Sequence, residues 1–171
     1  IIIPSISNGI CEINNILKSE DVLHTLKALK AMGVKIIEKE EKIIIEGRGL
    51  NSLIEPKNPI YLGNSGTSAR LLTGLLSSQK FKSILKGDKS LSSRPMNRIA
   101  NPLINMNAKI NTTNGSLPLT IESSNLIARD IELTIPSAQI KSGILLAALN
   151  TEGKTTITEN KVTRDHTEIM L

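Results

Sequence analysis

Four short stretches of the chain carry residue types that can hold an anion. The first is Leu62-Gly63-Asn64-Ser65-Gly66-Thr67-Ser68-Ala69-Arg70, a polar turn between strand-like Pro59-Ile60-Tyr61 and the helical apolar spacing of Leu71, Leu72, Leu75 and Leu76. Where a strand gives way to a helix, the first N–H groups lack partners and the helix dipole adds partial positive charge, so a carboxylate or phosphate is stabilised there. Gly63 and Gly66 let the backbone approach such a ligand, and Arg70, one turn in, carries the planar fork that grips carboxylates and phosphates in pairs. The other three stretches also place polar residues ahead of an apolar helix. They are Gly87 to Met96 with Arg94, Pro136 to Leu149 opened by Ser137-Ala138-Gln139, and Thr163-Arg164-Asp165-His166-Thr167-Glu168. Taken singly, each also reads as ordinary capping, with Ser65, Thr67 or Ser137 as N-cap and Arg94 and Arg164 paired with Asp88 and Asp165 at the surface.

The elements that must position these stretches follow from periodicity and turn chemistry. Ile1 to Ile3 read as the end of an element, and Ile10 to Leu17 as a strand. Ser19 caps a helix bearing Val22, Leu26 and Leu29 that stops at Gly33, and a hairpin pairs Val34–Ile37 with Lys42–Glu46. The helix after Ser65 runs to about Gln79, and a strand spans Phe81 to Leu85. Pro95 suits the first position of the next helix, and a second hairpin turns at Asn114-Gly115. Ile131–Ile135 and Thr155–Thr158 are strands around a helix opened by Ser137, and Thr163-Arg164-Asp165 opens a last helix. These segments repeat: Met32 and Met106 stand 74 residues apart in matching words, and Ser65 and Ser137 stand 72 apart. The period predicts an α/β (α+β) fold of repeated β-α-β-α-β-β units about a pseudo-symmetry axis, roughly 1–50, 51–122 and 123–171. Equivalent helix starts at Ser65, Arg94, Ser137 and Arg164 would then surround one anionic ligand.

Composition narrows the classes. At 171 residues, with 39% hydrophobic and 22% charged residues, the chain can bury a real core; with only Tyr61 and Phe81 as aromatics, that core must be aliphatic. A net charge of +5 and a pI near 9.4 invite a nucleic-acid or general anion-binding module. Stacking aromatics are lacking and the basic residues are dispersed among acids, so a small polyanionic substrate accounts for the balance and no nucleic-acid partner is expected. The lone Cys11 excludes an internal disulfide, and His24 and His166 lie in unrelated segments, so no metal site is expected. No spanning apolar run or signal peptide is present, which points to a cytoplasmic location and no membrane partner. The chain opens inside an apolar run without Met and closes on Ile169-Met170-Leu171, so a piece of a longer protein is expected.

Together the words LGNSGTSAR, GDKSLSSRPM, PSAQIKSGILLAAL and TRDHTEIML, with Ser19-Glu20-Asp21-Val22-Leu23, resemble the 5-enolpyruvylshikimate-3-phosphate synthase family along nearly the whole chain. The resemblance implies a two-globule enzyme, each globule three β-α-β-α-β-β units in a pseudo-threefold, inside-out barrel, with this chain as most of the N-terminal globule. It implies transfer of the enolpyruvyl group of phosphoenolpyruvate to the 5-hydroxyl of shikimate 3-phosphate, without a metal or organic cofactor, in a protein that is monomeric when complete. By motif position Gly66, Arg94 and Gln139 would meet phosphoenolpyruvate. Ser137, Ala138, Gln139 and Arg164, with neighbouring Thr163, would meet shikimate 3-phosphate, while Asn64, Thr67 and Arg70 support the first turn. Lys141, Asp165, His166 and Glu168 are structural candidates.

The family's Lys-Ser-Ile-Ser-His-Arg-like segment and the proton-shuttling groups of the C-terminal globule are absent from this sequence. It is therefore expected to hold half a site, with no catalytic acid or base, and to need the C-terminal globule of the same chain as a partner. Leu71 stands where many members have Pro. Gly66 stands where a glyphosate-tolerant branch has Ala, so glyphosate sensitivity is expected. The sister transferase acting on UDP-N-acetylglucosamine is the nearest alternative, but its usual cysteine has no counterpart after Asn64.

Overall fold

The computed structural model describes residues 1–171. In chain order the elements are α1 (Ile2–Ile6), β1 (Asn8–Asn14), α2 (Glu20–Ala31), β2 (Lys35–Glu38), β3 (Lys42–Arg48), β4 (Ile60–Tyr61), α3 (Gly66–Ser77) and β5 (Ser83–Lys86). Then follow α4 (Lys89–Ser92), α5 (Asn97–Asn105), β6 (Lys109–Thr113), β7 (Ser116–Glu122), β8 (Asp130–Leu133), α6 (Ala138–Ala148), β9 (Thr156–Glu159) and α7 (His166–Met170). The stretch from β4 to β7 runs strand, helix, strand, helix, strand, strand, with the single-turn α4 as an extra. The same succession runs from α1 to β3 without its first strand and from β8 to α7 without its last two.

Sheet pairing repeats with the element order. In the middle unit β4 lies parallel to β5, β5 antiparallel to β7, and β7 antiparallel to β6. β1-β3-β2 reproduces the antiparallel part of that order, and β8-β9 reproduces the parallel part. Buried and exposed residues alternate along β3, β7 and β8, so each of these strands turns one face inward. By contrast α3 is buried along most of its length, including Leu72, Thr73, Gly74, Leu75 and Leu76, and α6 likewise from Ile140 to Ile144. α3 and α6 therefore sit inside, between the sheets and the remaining helices. One large aliphatic core, with a small satellite of Leu26, Ile43 and Ile45, includes the fully buried Met32, Met96 and Met106, whose unbranched side chains suit irregular gaps.

Local chemistry explains most boundaries. Ser19, Ser65 and Ser137 cap α2, α3 and α6, each hydroxyl accepting from the backbone N–H three residues on, at 3.5, 3.1 and 3.4 Å. Gly33 at φ +86 ends the first of these helices, and Asn114 and Gly115, both at positive φ, make the tight β6–β7 turn. Three expectations are corrected. Ile2 and Ile3 open helix α1 rather than finish an element. β1 stops at Asn14, because Asn15 turns to φ 53 and takes Ile16 and Leu17 out of the strand. Pro95 does not start a helix: Asp88 caps the short α4 by accepting from Leu91 N–H at 2.7 Å, and α5 begins only at Asn97. The restricted backbone before Pro95 separates the two helices, and the Met96 N–H is taken by the Gly115 carbonyl at 2.8 Å.

The tightest contact in the interior is between α3 and α6. A Cβ on Gly74 would collide with the backbone of Gly143, and one on Gly143 would come within 2.9 Å of the Arg70 carbonyl oxygen. Both helices run side by side in the same direction, with Gln139 near Thr67 and Arg70 at one end and Asn150 donating to the Ser78 carbonyl at the other. No helix is long and apolar enough to cross a membrane. Gly74→Ala is expected to destabilise the fold by about 3 kcal/mol, because the added methyl meets backbone that cannot turn aside; urea denaturation measures it.

Candidate functional site

The first turn of the site is placed by strand pairing. β4 and β5 are parallel neighbours, so the loops leaving them emerge side by side at the C-terminal ends of the strands, where open α/β sheets gather ligands. Leu62 N–H donates to the Lys86 carbonyl and Asp88 N–H to the Gly63 carbonyl, both at 2.9 Å, and these bonds stitch the Asn64 turn to the Arg94 turn. Gly63 holds φ +54 against the ring of His24, where a Cβ would collide with the imidazole.

On this frame the polar side chains form a connected cluster. Arg70 donates through one nitrogen to the Gly66 carbonyl at 3.1 Å and to Gln139 Oε1 at 3.0 Å. Gln139 in turn donates to Thr67 Oγ1 at 3.0 Å, and Arg94 donates to Asn64 Oδ1 at 2.6 Å. Gly66 lies beneath both arginines: a Cβ there would stand 2.8 Å from an Arg70 nitrogen and 3.0 Å from an Arg94 nitrogen. The structure thus brings together Asn64, Gly66, Thr67, Arg70, Arg94 and Gln139. Ser137 and Ala138 begin the helix that carries Gln139, but the Ser137 hydroxyl is engaged as the cap of α6.

The acceptors matter as much as the donors. Every partner of Arg70 and Arg94 is neutral, a carbonyl or a side-chain amide, whereas Lys30, Lys35, Lys42, Lys82 and Lys141 are each matched with a carboxylate. Burial lowers the pKa of the Arg70 guanidinium, and the positive charges of Arg94 and Arg98 lower it further. The cluster concentrates positive charge that no carboxylate cancels and holds its donors in fixed orientations, which suits an anionic ligand.

Arg94 and Arg164 do not form the surface pairs that the sequence left open. Asp88 spends its carboxylate on the α4 cap, and neither Arg164 nor Asp165 takes part in an ion pair. Arg164 is exposed and joins none of the hydrogen bonds of the cluster. Arg98, whose positive charge acts on Arg70, lies outside all four sequence motifs. The 74-residue spacing relates it to His24, the residue beside the first turn.

The Thr163–Glu168 stretch is anchored from below. The ammonium of Lys141 lies 2.7 Å from Glu159 and 2.6 Å from Glu168, and its side chain is 8% exposed. Thr163 donates to Glu159 at 2.5 Å, and the Ser142 and Thr167 hydroxyls meet at 2.7 Å. Lys141 and Glu168 are therefore clamps that hold α7 and the approach to it on α6. Burial works against the charge of Lys141, but hydrogen bonds from its ammonium to Glu159 and Glu168 outweigh it and raise its pKa. Burial also raises Glu159, but the hydrogen bonds from Lys141 and Thr163 prevail and hold it below the ordinary carboxylate range.

Comparison with known proteins gives a concordant result. The family described as EPSP synthase (3-phosphoshikimate 1-carboxyvinyltransferase) matches residues 1–171. The chain is 49% identical over its whole length to the 3-phosphoshikimate 1-carboxyvinyltransferase of Ruthia magnifica and 47% identical to that of a Geobacter species, covering 40% of each. Among solved structures, an EPSP synthase from Acinetobacter baumannii superposes with a TM-score of 0.97 at 48% identity, over 99% of this chain and 40% of that one. The chain thus spans about two fifths of the length of these relatives.

Two outcomes follow for the clamp. Glu159 has a depressed folded pKa, so its contribution is complete above its ordinary value of 4.5 and disappears as pH falls through the folded value. Lys141 has a raised pKa, so its share is complete below 10.5 and disappears as pH rises through its folded value. The protection of α7 amides, relative to their intrinsic exchange rate at each pH, is expected to fall selectively in acid, before the core opens. Lys141→Met is expected to cost about 2 kcal/mol in denaturant titrations, because it strands two partly buried carboxylates.

Proposed function

The chain belongs to the EPSP synthase family, and from that premise we propose that its protein transfers the enolpyruvyl group of phosphoenolpyruvate to the 5-hydroxyl of shikimate 3-phosphate, releasing phosphate. The observation that carries this reading is the Gly66–Arg70–Arg94–Gln139 cluster, whose arginines are held by neutral acceptors and so keep their charge for a ligand. Both substrates are phosphorylated carboxylates, and the charge they bring offsets the mutual repulsion of the arginines.

Within this reading each residue has a defined task. Arg94, steadied by Asn64, grips phosphoenolpyruvate over the uncrowded backbone of Gly66. Arg70 fixes the carbonyl of Gly66 and, through Gln139 and Thr67, ties the head of α3 to the head of α6. Gln139 stands at the junction, where it can meet both substrates. Ser137, Ala138 and Arg164 serve shikimate 3-phosphate, Arg164 from an approach that the Lys141 clamp keeps in place. Addition of the 5-hydroxyl to the enol carbon gives a tetrahedral intermediate, and loss of phosphate restores the double bond. Proton transfer in both steps falls to groups of the C-terminal globule, closed over this half in one cytoplasmic polypeptide that is monomeric and needs no cofactor.

In the full-length protein, Arg94→Ala is expected to lower kcat/KM for phosphoenolpyruvate by about 100-fold or more, and Arg164→Ala to raise the KM of shikimate 3-phosphate by about 10-fold. Steady-state kinetics with each substrate varied in turn measure both. Glyphosate is expected to inhibit turnover, and Gly66→Ala to blunt that inhibition, since the new methyl lies against both guanidinium groups. Turnover indifferent to Arg94→Ala would remove the cluster from the reaction. Tight, salt-sensitive oligonucleotide binding with no preference for shikimate 3-phosphate would replace the reading with an anion-binding module.

A further inference from the structure

The two repeats that frame the site place different residues at one position. In the first, His24 of α2 sits against Gly63, in the turn that opens α3. Seventy-four residues later Arg98 of α5 takes that place, and it lines a groove of about 690 Å³ together with Thr134, Ile135 and Ile140, the residues on either side of the Pro136-Ser137-Ala138-Gln139 head of α6. Arg98 is exposed and takes part in no ion pair. Its charge is nevertheless felt at Arg70, alongside that of Arg94. An unpaired guanidinium at the head of a helix, lining the groove that flanks the α6 head, gains nothing from the protein and a charge-assisted contact from an anion.

We propose that Arg98 is a third anion-binding arginine of the site, reaching the phosphorylated acceptor from the α5 side at the head of α6. The proposal rests on the transferase reading above for the identity of that acceptor, and on the geometry alone for its being an anion. Arg129 lines the same groove but adjoins Asp130, at the start of β8 and away from the α6 head. It serves as the control for a general surface charge.

The test uses the full-length protein with Arg98→Gln, Arg98→Lys and Arg129→Gln. Arg98→Gln is expected to raise the KM of shikimate 3-phosphate about 10-fold with kcat within about twofold, and to flatten the salt dependence of that KM. Arg98→Lys restores most of the loss, and Arg129→Gln leaves both constants in place. An unchanged KM in Arg98→Gln, or equal losses in Arg98→Gln and Arg129→Gln, overturns the proposal. Titration of each variant with inorganic phosphate decides the matter independently of turnover. Weaker phosphate binding in Arg98→Gln supports the assignment even where wild-type protein fails to turn over the proposed substrates, a result that sinks only the transferase reading. Phosphate binding equal to wild type overturns it.

Discussion

The backbone contact between α3 and α6 is the constraint on which the rest depends. Gly74 against Gly143, and Gly143 against the Arg70 carbonyl, let two buried helices run closer than side chains normally permit. Because the helices are also parallel, this closeness brings their N-terminal heads to the same end of the molecule. Arg70 and Gln139 can then share a hydrogen bond across 69 residues of sequence, and Gln139 can reach Thr67. Had the helices been held apart by ordinary side chains, Gly66 and Ser137 would head two separate capped helices. The two glycines weaken each helix on its own by about 1 kcal/mol relative to alanine. Dispersion along the shared interface and the polar cluster at its end offset that loss.

Once the heads meet, electrostatics decides what the place is for. Arg70 is partly withdrawn from water and feels two like charges, an arrangement that costs stability unless an anion joins it. A purely structural design would have set an acid beside it, as the clamp around Lys141 does with Glu159 and Glu168. Instead Asn64 and Gln139 fix the guanidinium planes without cancelling their charge. Orientation and neutralisation have been separated: the protein supplies the first and, within the proposed reading, leaves the second to a ligand.

Much of this was legible in the chain because it depends on local chemistry. Ser19, Ser65 and Ser137 announce their helices, Asn114-Gly115 announces its hairpin, and the recurrence of Met32 at Met106 announces the repeat. What escaped reading depends on contacts between distant segments. Nothing near Gly74 or Gly143 says that they touch, since a glycine inside an apolar helix looks the same whether it packs or merely weakens. Pro95 illustrates the converse error. Its preference for a first helical position is real, but Asp88 had already capped a shorter helix upstream, and a local rule gave way to a stronger local competitor. Arg98 sits in no motif, and only its place in the repeat gives it meaning.

That place explains how a repeated fold makes an asymmetric site. The repeat aligns His24, Arg98 and Glu168, at successive spacings of 74 and 70 residues. His24 is spent on packing: its ring covers Gly63, meets Tyr61 edge to face at 5.8 Å, and leaves Nδ1 buried without a partner. Glu168 is spent on an ion pair that holds α7 to α6. Only Arg98 is spent on nothing within the protein, and it alone adjoins the groove beside the third helix head. Three copies of one unit thus divide the work of buttress, clamp and free charge. Repetition sets helix starts at matching places, and divergence at a single position in each copy gives those starts different charges and different partners.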